Sequence, residues 1–148
     1  FTVVGRSIKT SSEDNMKHHT ITKFWQDAPK QGLDETLCHL GPDKPFLGVC
    51  YGMEKDGSFR YMIGVETTKN DQTLEKLEIP KSTWAVFESI GPMPDAIQRV
   101  WRQVYEDFFP SSGYRHAGTP DFESYPESGS DRKDYRCEVW IPIVKQDK

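Results

Sequence analysis

The chain has 148 residues, 35% hydrophobic and 28% charged, with a formal net charge of −4. That length suits one globular domain, or two small halves packed as one unit, with enough chain to bury a core without disulfides or a structural metal. The acidic balance and the lack of any Lys/Arg cluster speak against direct nucleic-acid binding by this domain. No apolar run approaches the roughly 20 residues of a membrane-spanning helix, so no membrane association is expected, and no basic-then-apolar leader opens the chain. Three widely spaced cysteines, Cys38, Cys50 and Cys137, form no disulfide framework; free thiols and a cytoplasmic location are the expectation. The first residue is Phe1 rather than Met, which leaves room for an upstream DNA-binding module.

Phe1 to Lys9 reads as a strand through Val3 and Val4. Ser11, Ser12, Glu13 and Asp14 offer helix caps and first-turn acids. A helix follows to about Ala28, with Ile21, Phe24 and Trp25 on one side, and Pro29 and Gly32 end it. Phe46 to Tyr51 and Arg60 to Glu66 flank the turn Glu54-Lys55-Asp56-Gly57 as a hairpin. Leu74 to Ile79 and Thr83 to Ser89 read as a second strand pair around Pro80-Lys81. A second helix is predicted from Pro94 to Phe109, because Ile97, Val100, Trp101, Val104 and Phe108 make a buried stripe. Pro110 and Gly113 stop it. Phe122 to Tyr125 is a short strand, Glu127 to Asp134 a loop, and Tyr135 to Val144 the last strand. The order is strand, helix, strand, strand, then strand, strand, helix, strand, strand, which suggests two similar α+β units, about 1–72 and 73–148.

The last strand carries the most chemical information. Cys137, Val139 and Ile141 share one face; Arg136, Glu138 and Trp140 share the other. A carboxylate beside an indole is a combination that holds an organic cation if that face lines a cavity. Alternation by itself equally describes a strand with one wet face. Tyr51, Tyr61, Trp84 and Trp101 are further rings, each of which also suits a core, Trp101 above all. Glu123 is a candidate second acid near Glu138, or an ordinary exposed strand residue. His18-His19 and Cys38-His39 are adjacent pairs that cannot easily share a metal, His116 stands alone, and no metal or cofactor is expected. No phosphate-binding loop and no Gly-x-Ser-x-Gly occurs.

Five stretches in order resemble the GyrI-like family, the effector-binding domain of AraC-type and MerR-type bacterial regulators. They are Phe1-Thr2-Val3-Val4-Gly5, Tyr61-Met62-Ile63-Gly64-Val65-Glu66, Ile79-Pro80-Lys81-Ser82-Thr83-Trp84-Ala85-Val86-Phe87, the run from Gly91-Pro92 through Trp101 to Phe109-Pro110-Ser111-Ser112-Gly113-Tyr114, and Glu138-Val139-Trp140-Ile141-Pro142-Ile143. Trp84 stands where the family often has Tyr and Phe109 where it often has Trp, so each position keeps a ring. The resemblance implies a single 1–148 domain of duplicated units with pseudo-twofold symmetry. It implies a curved antiparallel sheet with two main helices on one face and a ligand groove on the other. It puts Glu138 in that groove, with Trp140, Tyr51 and Trp84 as companions and a small lipophilic or aromatic cation as ligand. Some similar proteins hydrolyse cyclopropane-containing compounds, which would make Glu138 a general base; another is a small inhibitor of DNA gyrase, which would imply a protein partner. Sensing or sequestration of cations is the leading expectation, with no enzymatic step.

Overall fold

The computed structural model describes residues 1–11, 14–93, 95–126 and 133–146. The cap candidates Ser12 and Glu13, the helix-opening Pro94 and most of the 127–134 loop therefore lie outside the described residues. Two compact units emerge, Phe1–Ile79 and Pro80–Lys148.

The first unit contains β1 (Thr2–Ser11), α1 (Asp14–Asp27), α2 (Leu33–Leu40), β2 (Phe46–Tyr51), β3 (Ser58–Glu66) and β4 (Glu75–Glu78). β3 pairs antiparallel with both β1 and β2, and β4 pairs antiparallel with the outer edge of β1. This corrects the expected second hairpin: residues 75–78 pair with β1, not with the strand beginning at Thr83. The pairing also explains why the unit extends to Ile79, whose N–H donates to the Phe1 carbonyl at 2.7 Å. Helix α2 was not anticipated. Its Leu33, Leu37 and Leu40, spaced four and three apart, are buried on one side. They join Phe24, Ala28, Val4, Phe59, Tyr61, Ile63 and Val65 in a core between helices and sheet. Tyr61 can be buried there because its hydroxyl accepts a 2.9 Å hydrogen bond from Trp25 Nε1.

Gly5 and Gly64 face each other across β1 and β3. A Cβ on Gly64 would sit 2.6 Å from the Val4 carbonyl oxygen and 2.8 Å from Val3 Cγ1; one on Gly5 would overlap the Ile63 carbonyl. The two strands approach this closely only because neither position carries a side chain.

The second unit contains β5 (Thr83–Ile90), α3 (Asp95–Gln103), a π-helical turn (Val104–Phe108), α4 (Phe109–Ser112), β6 (Tyr114–His116), β7 (Asp121–Tyr125) and β8 (Arg136–Lys145). β8 pairs antiparallel with β5 along one edge, and with β7 and then β6 along the other. The unit repeats the plan of the first: a strand, helices, then a hairpin whose last strand pairs with the first strand. Within each unit the described pairings are antiparallel and the helices pack on one face of that unit's sheet, so the fold is α+β as read from the sequence.

The helical stretch does not stop at Pro110. It continues to Ser112 and ends at Gly113, whose φ is 78°. The cause of the π turn is local. Pro110 has no N–H to give the Glu106 carbonyl and its ring would crowd that carbonyl. The wider turn relieves the conflict, with the Phe109 N–H donating to the Val104 carbonyl. The two successive rings touch each other, with centroids 5.4 Å apart, and each meets a further partner. Phe108 packs edge-on against Phe87 with centroids 5.1 Å apart, while Phe109 packs on Tyr105 at 5.5 Å. No described helix is long and apolar enough to cross a membrane.

Candidate functional site

The β5–β8–β7 register fixes which side chains share a face. Val86 lies opposite Trp140, which lies opposite Phe122; Glu88 lies opposite Glu138, which lies opposite Ser124; Trp84 lies opposite Pro142. All are on the sheet face away from α3, since the alternate residues Cys137, Val139, Ile141 and Ile143 form the core beneath the helix. Trp140 and Phe122 stack with centroids 5.5 Å apart and planes 13° from parallel. Trp84 meets both edge-on, at 5.2 Å from Phe122 and 6.0 Å from Trp140. The Trp140 indole N–H donates to Glu138 Oε1 at 3.1 Å. Three of the four predicted residues, Glu138, Trp140 and Trp84, therefore form one half-buried cluster. The sequence missed Phe122 as its fourth member, although its place next to Glu123 on an alternating strand was the available signal. Tyr51 ends β2 in the first unit, opposite Arg60. It lies on the face of that unit's sheet away from α1 and α2, because Cys50 and Tyr61 occupy the helix side.

Glu123 is on the other face. It lies opposite Val139, one residue out of step with Glu138, so the two acids point to opposite sides of the hairpin and form no carboxylate pair. Glu123 Oε2 accepts from Trp101 Nε1 at 2.8 Å and Oε1 accepts from the Tyr125 hydroxyl at 2.7 Å. Trp101 is thus not simply core packing: it delivers its N–H to a carboxylate, and its ring stacks on Tyr105 with planes 18° apart. Glu123 is thus a half-buried acid at the edge of an indole ring, a second pairing of a carboxylate with a tryptophan.

Cys137 immediately precedes Glu138 in β8. Burial pushes its thiol up to about 11, with the nearby Glu123 and Glu138 charges adding to the effect and a hydrogen bond with Ser89 opposing it. Cys137 is buried, Cys38 exposed and Cys50 between them, and all three are free. At pH 8 only about one Cys137 in a thousand would be thiolate, so an aromatic disulfide reagent should modify Cys38 rapidly and Cys137 only after unfolding. Rapid labelling of Cys137, located by peptide mapping of the native protein, would contradict the buried placement. No group of three or more His, Cys, Asp or Glu side chains suited to a metal ion occurs among the described residues.

With this geometry in place, comparison with known proteins is informative. The model of the family described as "Cass2: Integron-associated effector binding protein" matches residues 1–143. The chain belongs to that effector-binding family. A protein named DNA gyrase inhibitor from Erwinia billingiae (strain Eb661) is 23% identical over 133 residues, 82% of this chain and 85% of that protein. The solved structure of SAV2435 bound to tetraphenylphosphonium superposes with a TM-score of 0.84 at 26% identity, covering 97% of this chain and 88% of that one. An integron cassette protein from the mobile metagenome of Vibrio cholerae shares the fold, with a TM-score of 0.74 and 22% identity over 97% of this chain and 90% of its own. The GyrI-like kinship inferred from the five motifs holds, and membership in the Cass2 family makes small-molecule effector binding the general role to which the site must answer.

Proposed function

We propose that this Cass2-family chain binds a lipophilic organic cation, and that Glu138 meets its charge with Trp140 and Trp84 supplying ring surface. The observation that carries the reading is the likeness to SAV2435, whose structure holds tetraphenylphosphonium. The cluster around Glu138 supports it chemically. Three rings in mutual contact offer faces for aryl groups, and a carboxylate tethered to an indole offers fixed negative charge. Stacking plus one charge tolerates many ligand shapes, which suits a sensor or sequestering protein of broad specificity.

A second reading places the counter-charge at Glu123, favoured by its hydrogen bonds from Trp101 and Tyr125 beside the Trp101–Tyr105 stack. Both readings demand that charge, not shape alone, be read. Tetraphenylborate has the shape of tetraphenylphosphonium and the opposite charge, so it separates the two. Calorimetric titration should give saturable binding of the phosphonium and at least about tenfold weaker binding of the borate. Equal affinities would overturn the cation reading. If an upstream DNA-binding segment or a separate protein partner uses this binding as a signal, the ligand must stabilise one arrangement of that partner over another.

A further inference from the structure

We infer that a depression beside β6 in the second unit is a separate ligand site, and that it takes a small aromatic carboxylate. It does not depend on the cation reading above. The hollow has a volume of about 420 Å³ and is lined by Tyr105, Phe109, Tyr114, Arg115, His116 and Gln146 among others. That is within the range of small-molecule sites, about 300–1,000 Å³. The π-helical turn forms one wall with Tyr105, which is 55% exposed, and the half-buried Phe109 against it. Gly113 ends α4, and its carbonyl accepts from the Gln146 N–H at 2.9 Å, which closes the floor between the helix end and the end of β8.

The charge of the hollow is decided by Arg115. Arg60 has Glu75 at 3.9 Å and Arg136 has Glu88 at 3.7 Å. Arg115 forms no ion pair among the described residues; its Nη1 reaches only the His116 carbonyl, at 3.4 Å. His116 Nδ1 accepts from the Gly118 N–H at 2.9 Å, and Nε2 lies 2.9 Å from Asp121 Oδ2. The imidazole is thus held in place from both nitrogens, and Asp121, 9% exposed, is turned to the imidazole and does not line the hollow. Glu106 and Asp107 do not line it either. Three rings, one imidazole plate and one unpaired guanidinium fit a planar aromatic group carrying a carboxylate, which Arg can hold through two parallel hydrogen bonds.

The probe is 2-naphthoate, titrated into isotopically labelled protein and followed by backbone amide shifts, with 2-naphthylmethylammonium as the cation bearing the same rings. Saturable shifts at residues 105, 109, 114–116 and 146 are expected, with Kd on the order of 0.1–1 mM for a ligand of this size. Arg115→Gln should weaken binding about tenfold or more, Arg115→Lys less, and the ammonium should bind far more weakly than the naphthoate. Neither variant should change tetraphenylphosphonium binding. Arg115 is exposed, so both variants are expected to fold. No saturation, shifts confined to other residues, equal binding of the ammonium, or an Arg115→Gln affinity equal to that of the parent would each overturn the assignment. A failure of the phosphonium titration alone would leave this site standing.

Discussion

Replacing Glu138 with Gln is expected to weaken tetraphenylphosphonium binding by about tenfold to a hundredfold, on the order of 1–3 kcal/mol, with the fold unchanged. Gln keeps the size of the side chain and can still accept from Trp140 Nε1, so the cluster with Trp84 and Phe122 should persist. Only the negative charge is lost. The partner experiment is Glu123→Gln, whose single amide oxygen can still accept from Trp101 Nε1 while its NH2 donates to the Tyr125 hydroxyl oxygen. The two acids face opposite sides of the β7–β8 hairpin, so the two variants report on different places. A loss confined to Glu138→Gln supports the open sheet face as the site. A loss confined to Glu123→Gln would move the site beneath α3 and sink the Glu138 assignment. Parent-like affinity in both would show that neither carboxylate answers the cation. Fluorescence titration can monitor all three proteins, since Trp140 and Trp101 each touch one of the acids.

Gly64→Ala is expected to be strongly destabilising in the first unit. The added carbon would lie 2.6 Å from the Val4 carbonyl oxygen, a backbone atom that cannot swing aside. Relief requires β1 and β3 to separate where Gly5 and Gly64 are paired, in the middle of the sheet. Overpacking of this kind costs about 3 kcal/mol or more, a large share of a typical stability of roughly 5–15 kcal/mol. Thermal unfolding should show a fall in Tm of roughly 6–12 °C or no folded protein. Gly52→Ala is the comparison. Its φ is 66° and nothing lies within 4 Å of an added Cβ, so only the backbone conformation resists, at about 1–2 kcal/mol. A Gly64→Ala protein as stable as the Gly52→Ala one would mean that the strands are not so close.

The contrast between these glycines marks how far sequence reasoning reaches. Periodicity located α1, the stripe from Ile97 to Phe108 and the alternation of β8, because each depends on neighbours in the chain. It assigned residues 75–78 to the wrong partner, because β4 joins β1 across more than seventy residues and nothing local specifies that pairing. It overlooked α2, whose three leucines were the available helical signal. It ended the second helix at Pro110, where a π turn instead absorbs the proline. For the candidate site, the shared face of Glu138 and Trp140 was legible from a period of two. That Trp84 and Phe122 complete their cluster was not, since it rests on the register of three strands. Glu123 was noticed as an acid, but only the register shows that it faces away from Glu138, and only the helix position gives it Trp101.

Both units send an indole N–H from a helix to the helix-facing side of the sheet: Trp25 to the phenol oxygen of Tyr61, and Trp101 to the carboxylate of Glu123. The first contact is neutral and the second charged, and they stand on different strands of the duplicated plan, Tyr61 in β3 and Glu123 in β7. Each half therefore ties its helix to its sheet in its own way, and exchange of the Glu123 acid would leave the Trp25–Tyr61 contact holding its own helix to its own sheet.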